Sequence, residues 1–178
     1  MSTHTTLATI ADLEAHPGRC ELIDGEIIEM SPASPEHGRV TSRVDRVLGA
    51  YADKKGGEVL TGEVGFIWDE QTVRAPDVAY LDAKRAKAIP PRGYMSQMPN
   101  LVVEVVSPND NWSDVKRKVR GWLAHGVALV WVVDPETRTV EVHAAGKPLV
   151  ELSSAQQIDG GTALPGFKAK ISAFFGPV

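Results

Sequence analysis

The stretch that most constrains this fold is LVVEVVSPNDNWSDVKRKVRGWLAHGVALVWVVD, residues 101–134. Its two apolar runs, LVVEVVS and VALVWVVD, are rich in valine and bounded by turn residues, and a segment of helical period lies between them. Runs of that kind read as strands buried on both faces of a sheet, and a helix joining two of them makes the right-handed crossover of a parallel pair. Ser113 is the expected N-cap of the helix, which should run from Asp114 to about His125 and end at Gly126. A chain built around such a unit is α/β.

The flanking segments fill out that architecture. A short helix is predicted over Ile10–Ala15, with Thr9 as cap and His16-Pro17-Gly18 as stop. In CELIDGEIIEM, Asp24-Gly25 between two alternating apolar runs predicts a hairpin. From Glu36 the spacing Val40, Val44, Val47, Leu48, Tyr51 has the 3.6-residue period of an amphipathic helix, closed by Lys54-Lys55-Gly56-Gly57. EVLTGEVGFIW and VRAPDVAYLD read as one strand each, 82–99 as a loop or short helix, TVEVHAA as the partner of VALVWVVD, and the tail as a closing strand and short helix. No repeat or linker divides the chain, so residues 1–178 are expected to form a single domain around a mixed sheet flanked by helices.

Within LVVEVVS, Glu104 is out of place. A carboxylate taken from water costs several kcal/mol unless it is paired, hydrogen-bonded or bound to a metal. Asp77, in RAPDVAYL, poses the same question. If their strands are neighbours, the two acids converge at one end of the sheet and offer the hard oxygen donors that suit Mg²⁺ or Mn²⁺. A nearby lysine would add a fixed positive charge, and Lys116 and Lys118 lie on opposite edges of the buried stripe Val115, Val119, Trp122, Leu123. Helical period does not choose between them. Ordinary alternatives exist for each: an acid at a sheet end, and a lysine whose stem packs while its head reaches water.

Composition narrows the function classes. Hydrophobic residues make up 43% and charged residues 24% of the chain, as in ordinary globular proteins. With one cysteine, Cys20, neither an internal disulfide nor a cysteine-rich zinc site can form, which fits a cytoplasmic location. No apolar run approaches the roughly 18 residues of a membrane span, and no secretory leader pattern opens the sequence. The net charge of −4 argues against nonspecific attraction to nucleic acid. Basic residues nevertheless concentrate in KRAKAIPPR (84–92) and KRKVR (116–120), where a polyanion would be met: Lys84, Arg85, Lys87, Arg92, Arg117 and Arg120 are the candidate phosphate contacts. Aromatic residues, 6% of the chain, form no visible platform for stacking single strands. The serines lack the His-Asp context of a nucleophilic hydrolase.

Pro76-Asp77 on a strand, Glu104 on a later strand, then Asp114-x3-Lys118-x3-Trp122 on a helix ending in Gly126-Val127, then VWVVDP, resembles the Uma-type restriction endonucleases of the PD-(D/E)XK nuclease superfamily. ELIDGEIIEMSP, His37-Gly38 and the tail LPGF add to the likeness, which runs from about Glu21 to Phe175. The resemblance implies a restriction-endonuclease-like fold with an N-terminal hairpin, Asp77 and Glu104 as ligands of Mg²⁺ or Mn²⁺, and DNA as substrate. The superfamily lysine normally stands two residues after the second acid, where this chain has Val106. In the Uma-type pattern it moves to the following helix, at the place of Lys118. Trp122 replaces a more usual tyrosine, a departure expected to concern packing. Glu36 and His37 are further candidates for metal or phosphate contact, and Glu21 is a weaker one. The rival expectation is a nuclease-fold protein that no longer cuts and binds nucleic acid or protein, as a homodimer through its hairpins. A small-molecule hydrolase using the same site is the third.

Overall fold

The computed structural model describes residues 7–62, 64–108 and 110–176. Glu63 and Asn109, which fall within a predicted strand and a predicted turn, lie outside the described residues.

Helix α1 spans Ile10–Ala15 as expected. The Thr9 side chain accepts from the Asp12 amide while the Asp12 carboxylate accepts from the Thr9 amide, so the capping box satisfies two amides that the helix cannot. Strands β1 (Cys20–Ile23) and β2 (Glu26–Glu29) form the hairpin. Its turn residues Asp24 and Gly25 both have positive φ, 51° and 78°, which is why an Asp-Gly pair stands there. Helix α2, Pro35–Lys55, starts with Ser34 accepting from the His37 amide and stops at Gly56 in the left-handed conformation. Val40, Val44, Leu48 and Ala52, four residues apart, are its buried stripe.

The next two runs each break in two. EVLTGEVGFIW becomes β3 (Glu58–Thr61) and β4 (Phe66–Asp69), and VRAPDVAYLD becomes β5 (Thr72–Arg74) and β6 (Val78–Leu81). β3 and β6 join a six-stranded sheet, whereas β4 and β5 join β1 and β2 in a four-stranded one. The breaks fall at Gly62, whose φ is 76°, and at Ala75-Pro76, where proline has no amide to give a ladder. At both breaks the chain steps from one sheet to the other.

Helix α3 (Ala83–Ala86) follows β6, and then come β7 (Leu101–Val105), α4 (Trp112–Ala124) and β8 (Leu129–Asp134). β7 and β8 are parallel, as their joining helix requires, and every other pair in the sheets is antiparallel. The cap of α4 is Asn111, not Ser113: its side chain accepts from the Ser113 amide, so the helix begins two residues early. β9 (Thr139–Ala144) and β10 (Val150–Ser153) complete the large sheet in the order β10-β9-β8-β7-β6-β3. A small ribbon of β11 (Gln157–Asp159) and β12 (Lys168–Lys170) leads to α5 (Ser172–Phe175).

Two apolar layers hold the sheet between helices. On one face α2 and the C-terminal segment pack Leu48, Phe167 and Phe174 against Tyr80, Val103 and Trp131. On the other, Val119 and Trp122 of α4, with Phe66 and Met95, cover Val102, Val130 and Val132. A third cluster, Leu13, Leu22 and Val73, ties α1 to the four-stranded sheet.

Candidate active site

Strand register brings the two acids together. β6 and β7 are antiparallel with Val78 opposite Val103; Asp77 precedes the one and Glu104 follows the other, so both stand at the same level on neighbouring strands. Asp77 Oδ2 accepts from the Val105 amide at 2.7 Å, and its Oδ1 lies 3.1 Å from His37 Nε2 at the start of α2. Glu104 is 7% exposed and uses both oxygens: Oε2 accepts from Lys118 Nζ at 3.0 Å and Oε1 from the Trp122 indole at 2.7 Å. Trp122 therefore does more than pack. Lys118 and Trp122, four residues apart on α4, meet the same carboxylate.

The sheet switch supplies the rest. Leu22 of β1 pairs with Val73 of β5, which sets Glu21 directly across from Arg74. Glu21, 3% exposed, accepts from the Ala75 amide at 2.7 Å, and its other oxygen lies 3.0 Å from Arg74 Nε. Lys118 Nζ also donates to the Ala75 carbonyl at 2.8 Å and comes within 3.5 Å of Glu21. The ammonium thus sits between two buried carboxylates and a backbone oxygen, and the bend at Ala75-Pro76 supplies that oxygen and the amide that holds Glu21. Arg74 in turn lies over the Trp68 ring, 5.5 Å from its centre.

These surroundings set the protonation of the cluster. Burial pushes the Glu104 carboxyl up to about 7; Lys118 opposes the rise, Asp77 adds to it, and the hydrogen bonds from Lys118 and Trp122 oppose it. Burial works against the Lys118 ammonium, but Glu104, Glu21 and Asp77 outweigh it and raise its pKa. Glu21 and Asp77 resist burial and stay below the ordinary carboxylate range, Glu21 through Lys118 and Arg74, Asp77 through His37 and Lys118. The hydrogen bond to Asp77 raises His37 despite its burial.

The donors suit a hard divalent cation. Each oxygen of Asp77 and Glu104 accepts one hydrogen bond or ion pair and retains a second lone pair, and Mg²⁺ commonly takes one or two carboxylates and fills its shell with water and substrate oxygens. Among the described residues no three His, Cys, Asp or Glu side chains form a ready-made metal cluster. A cleft of 640 Å³ opens over Asp77, His37, Glu21 and Lys118.

The remaining predicted residues divide. Of the two lysines, Lys118 points at the carboxylates and Lys116 is exposed. His37 joins the cluster, while Glu36 is exposed and pairs with Arg39. Arg117, paired with Asp114, and Arg120 stand on the solvent side of α4. Arg92 is exposed two residues before Tyr94, which lines the cleft. Lys84, Arg85 and Lys87 are at the wrong end: a Cβ placed on Gly56, at the far end of α2 from His37, would stand 3.6 Å from Ala83. The six residues from Asp77 to Ala83, along β6, separate them from the site by up to roughly 20 Å at ~3.3 Å per residue. KRAK (84–87) is near Glu104 in sequence and remote from it in space because β6 carries the chain away from Asp77 first. Arg74 escaped the sequence reading; its signal was a cation inside the apolar run TVRAP, matched by the buried-face acid of CELI.

The sequence pattern of the Uma2 family, described as "Putative restriction endonuclease", matches residues 7–172. The chain belongs to the Uma2 family. No curated protein matches it. This Uma2 chain shares its fold with a putative nuclease belonging to DUF820 from Anabaena variabilis ATCC 29413, at a TM-score of 0.80 and 18% identity, over 94% of this chain and 97% of that one. A DrdV–DNA complex solved by cryo-EM aligns at a TM-score of 0.41 and 17% identity, over 80% of this chain and 83% of that one. The expected nuclease-like mixed sheet between helices is thus the fold the chain adopts.

Proposed function

We propose that this Uma2 protein is a metal-dependent phosphodiesterase that cuts DNA internally. The observation that carries the reading is the meeting of Asp77, Glu104 and Lys118 at one end of β6 and β7, with the ammonium 3.0 Å from Glu104. Asp77 and Glu104 would hold Mg²⁺ or Mn²⁺. Such an ion supplies Lewis-acid charge to a phosphoryl oxygen and lowers the pKa of a water molecule. Lys118, held on three sides, presents a preorganised positive charge to a phosphate entering the cleft, where negative charge grows in the transition state. Trp122 orients Glu104, the Val105 amide and His37 orient Asp77, and Glu21 keeps the ammonium from turning away. Family membership supports the same reaction class.

One observation favours a second reading, an inactive binding module: each carboxylate of the cluster already has partners, so the network is closed without a metal. Titration calorimetry with Mg²⁺ and Mn²⁺ on the wild type and Glu104→Ala, beside a plasmid nicking assay, separates the two. Binding and nicking that vanish together in the variant are the expected result. Wild type that binds neither ion, or Asp77→Ala and Glu104→Ala variants that still nick, would sink the nuclease reading.

A further inference from the structure

Beside the cleft lies a second, much smaller pocket, of about 80 Å³ and open to solvent, beyond the C-terminal ends of β7 and β8. Open α/β sheets bind ligands at that end. The pocket shares Ser34, His37, Ser107, Pro108 and Asp110 with the cleft, so the two are continuous, and His37 touches Asp77. On its wall stands Trp112, the first residue of α4 and 39% exposed, whereas Trp122 and Trp131 are buried and Trp68 is half-buried. The fold spends two tryptophans in the core and leaves this one at the mouth of the site.

The charges around Trp112 decide what it can meet. Glu36, Asp110, Asp134 and Glu136 line the pocket, and its described lining contains neither lysine nor arginine. A phosphate is repelled there. A neutral, flat group with an aromatic face is not. We infer that a nucleobase from a nucleotide flanking the phosphate in the cleft stacks on Trp112 at the open mouth of this pocket. A base inside a duplex cannot reach it without leaving the stack. The inference rests on the nuclease reading for its substrate and makes that substrate specific: DNA unpaired beside the cut, at a single strand, flap or flipped base.

The test is binding in chelator, so that nothing is cleaved. Fluorescence anisotropy would compare a short labelled single-stranded oligonucleotide with a fully abasic strand of the same length. The expected preference for the base-bearing strand is about tenfold, within what one base stacked on an aromatic ring contributes. Trp112→Ala should erase that preference and Trp112→Phe keep most of it. In the wild type, the base-bearing strand should also shield the exposed indole from iodide quenching, a readout that needs no variant. Equal binding of both strands, a preference that survives in Trp112→Ala, or an unshielded indole overturns the inference. Base-selective binding without nicking would sink the nuclease reading alone, and nicking without base selectivity would sink this one alone.

Discussion

Lys118 has Glu104 and Glu21 within 3.5 Å, and removing it leaves buried Glu104 with no cation and Glu21 with Arg74 alone. Breaking a buried pair from one side typically costs roughly 3–5 kcal/mol, and Glu104, already at about 7, can take up a proton instead and hold the loss near the lower figure. Lys118→Met should therefore abolish nicking and lower the unfolding free energy in urea by about 3 kcal/mol. The double variant Lys118→Met, Glu104→Gln should lose less stability than the two singles added together; additive losses would show that the pair is not coupled. His37 gives a pH signature. Its pKa is raised above 6.5 in the folded protein, so the pairing with Asp77 stabilises fully below that value and fades as pH rises through the raised one. His37→Ala should cost more stability in mildly acidic buffer than in mildly alkaline buffer, measured by denaturant unfolding at both. An equal cost would remove the ion pair from the account. Asp77 and Glu104 stood out in the sequence because a charge in an apolar strand has few explanations, whereas Lys118 was separated from Lys116 only by the family resemblance. Arg74 did not stand out, because its partner Glu21 lies far away in sequence and only β1–β5 pairing reveals it.

At the level of elements, α4 carries the site and its seating depends on one small residue. Any Cβ at Gly121 would overlap the six-membered ring of Trp68, which packs edge-on to Trp122 with centroids 4.9 Å apart. Alanine is the better helix former by up to about 1 kcal/mol, yet Gly121→Ala should lower stability by about 1–3 kcal/mol through overpacking and weaken nicking by shifting Trp122 off Glu104. A more stable Gly121→Ala protein would show that Trp68 moves aside freely. The helices were readable in advance from their periods and caps, apart from the two residues by which Asn111 displaced Ser113. Most strands were readable as strands, though β10 and β11 went unread, and none was readable as a member of one sheet or the other. Gly62 and Pro76 mark the breaks, and local sequence does not say that a chain broken there changes sheet instead of merely bending.

Across the whole molecule, charge and chemistry are set apart. The basic segment at α3 lies at the far end of α2 from His37, and the second pocket is acidic, so the positive charge at the cleft is that of Lys118 and His37 and not of a broad basic field. Neutralising Lys84 and Arg85 to glutamine should leave plasmid nicking within about twofold, since charges beyond a Debye length of ~10 Å are screened. A large loss would place the DNA path along α2. The sheet switch at Ala75-Pro76 has a further consequence. The acids Asp77 and Glu104 belong to the large sheet, while the carboxylate and the guanidinium that fix the ammonium's other side come from the small one. The candidate site is therefore a seam, and anything that loosens the hairpin, from a proteolytic nick to a partner strand pairing with β2, would free one side of the Lys118 ammonium while both acids and the main core stayed in place.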